Sequence, residues 1–134
     1  MQFSEVVKRV IALATPINEY WERELPKRHP KYPLVDPAVP DPPPPPEEAE
    51  LRHLLASLPI EEVYKLLALA DVGRGVPAHA FDKRWHTYIK DAPELQWAIE
   101  YQVETAPLAE YLLEGRDALK KAGIDLDAGL PAHA

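Results

Sequence analysis

The sequence predicts an all-α protein, a small helical bundle of about five or six helices with a proline-rich extended segment after the first helix. Three observations carry this expectation. Apolar residues recur at three- and four-residue intervals in successive segments, no segment alternates apolar with polar residues, and prolines and glycines stand at the ends of the periodic runs. With 134 residues and 46 % hydrophobic content, the chain suits a single core.

Phe3, Val6, Val7, Val10, Ala14, Ile17 and Trp21 fall on one face of a helix. Pro16 interrupts that face, and a proline inside a helix removes a hydrogen bond and clashes with the preceding turn. A kink is therefore expected, or a restart with Thr15 as N-cap. From Pro26 to Pro46 ten of twenty-one residues are proline, which points to extended polyproline II. Such a segment serves as a semi-rigid spacer. It also holds Lys27, Pro30 and Pro33 at the basic-x-x-Pro-x-x-Pro spacing of a docking peptide.

Leu51, Leu54, Leu55 and Leu58 mark a short helix that Pro59 ends. Ile60, Val63, Leu67 and Ala70 then share a face that Leu66 and Leu69 widen, as in a central helix touched on several sides. Glu61 and Glu62 suit the positive end of its dipole. Gly73 is expected to close it in the left-handed conformation, and Gly75 and Pro77 prevent its resumption. Phe81, Trp85, Tyr88, Ile89 and Ala92 predict the next helix, and Leu95, Ile99, Gln102, Val103 and Ala106 another, with Pro93 between them. Leu108, Tyr111, Leu112 and Leu119 predict a last one, with Lys120 and Lys121 in its final turn and Gly123 as its cap. Gly115 inside that helix implies close backbone packing. The organisation is thus an amphipathic helix over 1–25, a proline-rich linker over 26–46, a helical core domain over 47–123 and a tail over 124–134 expected to fray.

The net charge of −7 argues against a general nucleic-acid coat or an anionic membrane surface as partner. There is no cysteine for a thiolate or disulfide. Glu5, Lys8, Arg9 and Glu19 break up the apolar core that a signal peptide needs, so a cytoplasmic protein is expected.

Few residues offer chemistry. Ser4 and Ser57 are the only serines, neither in a nucleophile elbow, and Ser57 stands at a helix boundary where capping is its role. His79, Asp82 and His86 would share one side of a helix and are the metal candidates, although a solvated polar face has the same spacing. One Glu-x-x-His, Glu50 to His53, is half of what a bundle di-iron site needs. Glu100 with Glu104 and Glu110 with Glu114 are carboxylate pairs of the kind that acidic helix surfaces carry. No motif implies a cofactor.

Gly73-Arg74-Gly75 could form an anion nest, but at a helix C-terminus, whose dipole repels anions; a glycine cap with Arg74 near the terminal carbonyls is the plainer role. From Arg74 to Lys90 the chain is locally basic, with Lys83 and Arg84 interleaved with Phe81, Trp85 and Tyr88. A helix, a glycine turn and a basic aromatic helix over 78–91 outline a helix-turn-helix, making Arg74, Lys83, Arg84, Trp85 and Lys90 the candidate binding residues. The leading expectation is a non-enzymatic interaction or structural module that binds a protein partner or a second copy of itself. DNA binding through 78–91 and a metal-dependent enzyme are the alternatives.

Two stretches also resemble a known family. Leu66-Leu67-Ala68-Leu69-Ala70-Asp71-Val72-Gly73-Arg74-Gly75 and Ala106-Pro107-Leu108-Ala109-Glu110-Tyr111-Leu112-Leu113-Glu114-Gly115, with Trp85 between them, are similar to the signature segments of a bacterial family catalogued as domain of unknown function 3775. The resemblance covers about residues 50–122, and Val76-Pro77 stands where that family is expected to carry an acidic residue. It implies no activity and no catalytic residue.

Overall fold

A computed structural model describes residues 1–91, 94–105 and 107–127. Among the described residues there are six α-helices and no strand: α1 (Phe3–Arg28), α2 (Pro46–Ser57), α3 (Ile60–Gly73), α4 (Phe81–Asp91), α5 (Leu95–Glu104) and α6 (Leu108–Lys121), with a 3₁₀ turn at Ala78–Ala80 before α4. The expected helix positions Ala92 and Ala106, the break at Pro93 and the end of the tail lie outside the described residues.

α1 passes through Pro16 without restarting and continues through Pro26 to Arg28, past the expected boundary at residue 25. Thr15 is no N-cap. It is helical, and its hydroxyl donates back to the Ile11 carbonyl at 2.7 Å. Burial explains the continuity: Phe3, Val6, Val7, Val10, Ala14 and Ile17 are all in the core, and at about 1.5–3 kcal/mol for each of the larger side chains this outweighs the roughly 3 kcal/mol cost of an internal proline. α1 packs on α6 and α2, so it completes the one core of the molecule.

The proline segment is not a free spacer. Residues 30–33 turn rather than extend, so Lys27, Pro30 and Pro33 do not form a polyproline docking peptide. From Pro40 to Pro45 the chain forms neither turn nor helix, Pro45 is extended, and Pro42 and Pro45 are buried. The Tyr20 hydroxyl donates to the Pro43 carbonyl and Arg28 to the Pro40 carbonyl at 3.3 Å, so the stretch is held along the second half of α1.

α3 is the central helix, in contact with α4, α5 and α6. Every residue from Glu62 to Val72 is buried, whereas Ile60, expected on its apolar face, is exposed. Its partner α6 crosses it at two glycines. A Cβ on Gly115 would lie 2.2 Å from the Leu69 carbonyl oxygen, and one on Gly73 would lie 1.9 Å from that of Tyr111. Each helix thus presents a bare backbone to a carbonyl of the other, a geometry that brings Cα–H groups against C=O. Gly115 packs as expected, but Gly73 is not the left-handed cap. That residue is Gly75, with φ of 124°, in a Schellman motif in which Val76 N–H bonds to Asp71 C=O and Gly75 N–H to Val72 C=O. Gly123, with φ of 75°, closes α6 in the same way.

Prolines occupy several N-cap positions, and the N-cap residues of α1, α2, α3, α5 and α6 make no side-chain capping bond. Two helices are capped from a distance instead. Asn18 of α1 accepts from the Ala109 N–H in the first turn of α6 at 3.1 Å. Asp127, beyond α6, accepts from Ser4 N–H at 2.9 Å and from its hydroxyl at 2.7 Å, capping α1. No helix among the described residues is long and apolar enough to cross a membrane.

Candidate functional site

The Schellman turn after α3 sends Arg74 outward, and two aromatic side chains meet it there. Its Nη1 donates to the Tyr101 hydroxyl at 2.7 Å, and its guanidinium lies 5.1 Å from the centre of the Tyr111 ring. The bond it donates to Tyr101 holds the guanidinium pKa above its ordinary value. Trp97, one turn before Tyr101 on α5, stacks on it at 5.0 Å between centroids and 25° between planes. The result is a continuous row of Tyr111, Arg74, Tyr101 and Trp97. Trp97 is 44 % exposed and Tyr101 36 %.

This row is preorganised and incompletely buried. Stacking and a hydrogen bond fix the side chains, so little rotamer entropy remains to be lost on contact, while broad apolar ring faces stay in water. A planar guanidinium over an aromatic ring also keeps donors free for a second acceptor. Tryptophan, tyrosine and arginine are the residue types that dominate binding energy in protein interfaces.

The five predicted binding residues do not converge. Arg74 joins the aromatic row, not the terminal carbonyls of α3. Arg84 stays at the surface but is tied to α3: its Nε donates to Asp71 Oδ2 at 2.7 Å, beside the Tyr88 hydroxyl, which donates to the same oxygen at 2.5 Å. Burial, and then the bond to Asp71, push the Tyr88 phenol up to about 12. Trp85 is 2 % exposed and belongs to the core, so it cannot meet a partner at the surface. Lys83 and Lys90 are exposed on α4, apart from the row. Trp97 and Tyr101 were not among the predicted binding residues, although their spacing was informative: they stand one turn apart on the side of α5 opposite Ile99.

Two of the three metal candidates come together. His86 Nδ1 meets the Asp82 backbone carbonyl at 2.7 Å and its carboxylate at 3.7 Å, and His79 is exposed in the 3₁₀ turn. Among the described residues no group of three or more His, Asp or Glu is placed to hold a metal ion. Of the carboxylate pairs, Glu100 receives Arg52 Nε on both oxygens at 3.0 Å and ties α5 to α2. Ser57 donates to the Leu54 carbonyl at 2.7 Å, a helix-end role. Glu50 and His53 line an open groove of about 810 Å³ between α1 and α2, with Arg9, Leu13 and Leu54.

No protein-family model, no curated protein and no solved structure matches the chain.

Proposed function

We propose that the protein is a non-enzymatic helical interaction module whose contact surface is the row Tyr111, Arg74, Tyr101 and Trp97, and that its partner is another protein. The observation that carries this is the stacked, exposed Trp97–Tyr101 pair anchored by Arg74. The reading that α4 enters DNA finds less support, because Trp85 is buried and Arg84 is bonded to Asp71. The resemblance to the uncharacterised bacterial family is kept as part of the proposal. In its favour, the two stretches that carry it are the two sides of the Gly73 and Gly115 crossing.

The test is site-specific photocrosslinking from position 97 in the source cells, compared with the same probe in an Arg74→Ala, Tyr101→Ala background. A defined protein adduct that disappears in that background is the expected result. Adducts that persist unchanged, with the helical circular dichroism intact, would overturn the assignment.

A further inference from the structure

Lys65 stands apart from the aromatic row, at the opposite end of α3, beneath the segment that follows α6. It is 3 % exposed, yet among the described residues it makes no hydrogen bond and no salt bridge. Its Nζ lies 4.5 Å from the centre of the Phe3 ring and 5.6 Å from that of Trp85. The rings attract an ammonium but are poor acceptors for its three N–H bonds.

Two cavities open on this amine. One, of about 290 Å³, is walled by Gln2, Phe3, Glu62 and Leu126; the other, of about 330 Å³, by Phe81, Asp82, Trp85 and Leu126. The indole Nε1 of Trp85 is buried with no hydrogen-bond partner. Buried donors left without acceptors are rare in folded proteins. That donor, next to an amine that meets only rings and next to apolar walls, describes a site for a small molecule that brings its own acceptor atom.

The neighbouring charges decide what kind of acceptor. Glu62 and Asp127 line the first cavity, and Asp82 and Asp125 the second. Four carboxylates around one amine repel an anionic ligand, so the acceptor is a neutral carbonyl oxygen. Burial also pushes the Lys65 pKa down, against the opposing pull of Glu62, Asp82 and Asp127, which enlarges the share of free amine.

We propose that Lys65 is the binding residue of a site for a small apolar aldehyde or ketone, which it captures as an imine beneath Leu126. The Lys65 nitrogen lone pair adds to the carbonyl carbon, and a proton moves from nitrogen to the former carbonyl oxygen to give a carbinolamine. The carbon–oxygen bond then breaks as the C=N bond forms. The oxygen leaves with both amine hydrogens as one water molecule, with no change in oxidation state. Phe3, Phe81, Trp85 and Leu126 receive the apolar body of the ligand.

The whole protein is treated with benzaldehyde and sodium cyanoborohydride at neutral pH, whereby hydride from the borohydride reduces the imine to a stable secondary amine, and peptide mass spectrometry locates the adducts. Lys65 should be labelled roughly ten-fold faster than the exposed Lys83, because the cavity walls hold the aldehyde against its amine. In urea that preference should vanish. Lys65→Arg, which keeps the cation over Phe3, should abolish the fast phase and leave the slow labelling of surface lysines. The proposal is overturned if Lys65 in the folded protein reacts no faster than Lys83, or if the fast phase survives in Lys65→Arg.

Discussion

Replacing Gly115 by alanine separates two opposing effects of known sign. In an exposed helix interior the change would stabilise by about 1 kcal/mol, because alanine is the better helix former. Here the new Cβ would lie 2.2 Å from the Leu69 carbonyl oxygen and 3.1 Å from its carbon, where ordinary contact begins near 3.4 Å. The obstacle is backbone of the buried central helix, which cannot swing aside as a side-chain tip can. α3 and α6 must separate, and overpacking of a close-packed core costs about 1–3 kcal/mol, with backbone contacts at the upper end or beyond. The steric cost wins by about 2 kcal/mol, which in a domain near this size lowers the melting temperature by about 4–8 °C. Urea unfolding followed by circular dichroism is the assay, with Gly123→Ala as control. At Gly123 no atom lies within 4 Å, so only the strain of its left-handed backbone is felt, of order 1 kcal/mol. A Gly115→Ala protein as stable as the parent, with an unchanged denaturant slope, would refute the tight crossing.

Other perturbations probe other parts of the fold. Spectrophotometric titration should show one tyrosine ionising near pH 12, assigned to Tyr88, and Asp71→Asn should bring it down. Because the folded pKa of that phenol is raised, its contribution to stability is complete below its unfolded value near 10 and is lost as pH rises towards 12. Asp127→Ala should cost about 1 kcal/mol at neutral pH, as loss of an N-cap does. The Ser4 backbone and hydroxyl bonds hold the Asp127 carboxyl below its ordinary value. The difference from the parent is therefore full above the unfolded pKa near 4 and closes as pH falls through the folded value, which acid unfolding curves of the two proteins will show. Deleting residues 1–25 removes Phe3, Val6, Val7, Val10, Ala14 and Ile17 from the core, and should abolish cooperative unfolding in a calorimeter.

Helix number and order were legible because periodicity is local: α3 needs only its own spacing to be recognised, and Gly115 announces a close approach by being misplaced in a helix. What escaped was set by partners distant in sequence. Pro16 and Pro26 read as breaks, but α6 and α2 bury α1 on either side of Pro16 and keep the helix whole. Gly73 read as a cap since it follows the last periodic residue, and only the approach of Tyr111 shows why that position lacks a side chain. The basic character of α4 pointed to a nucleic-acid surface, yet Asp71, thirteen residues earlier, claims Arg84. The aromatic row was half visible, in the spacing of Trp97 and Tyr101; its other half depends on a turn that delivers Arg74 from another helix.

The distant caps have a temporal meaning. The group that satisfies the first turn of α1 is 123 residues downstream of Ser4, and the one that satisfies the first turn of α6 is 91 residues upstream of Ala109. On a ribosome, which releases the chain from its N-terminal end, α1 therefore waits for nearly all of the described chain before its own beginning is closed. Until then its amphipathic face and its open N–H groups are both available to whatever else is nearby, and the last turn of synthesis, not the first, completes the first helix.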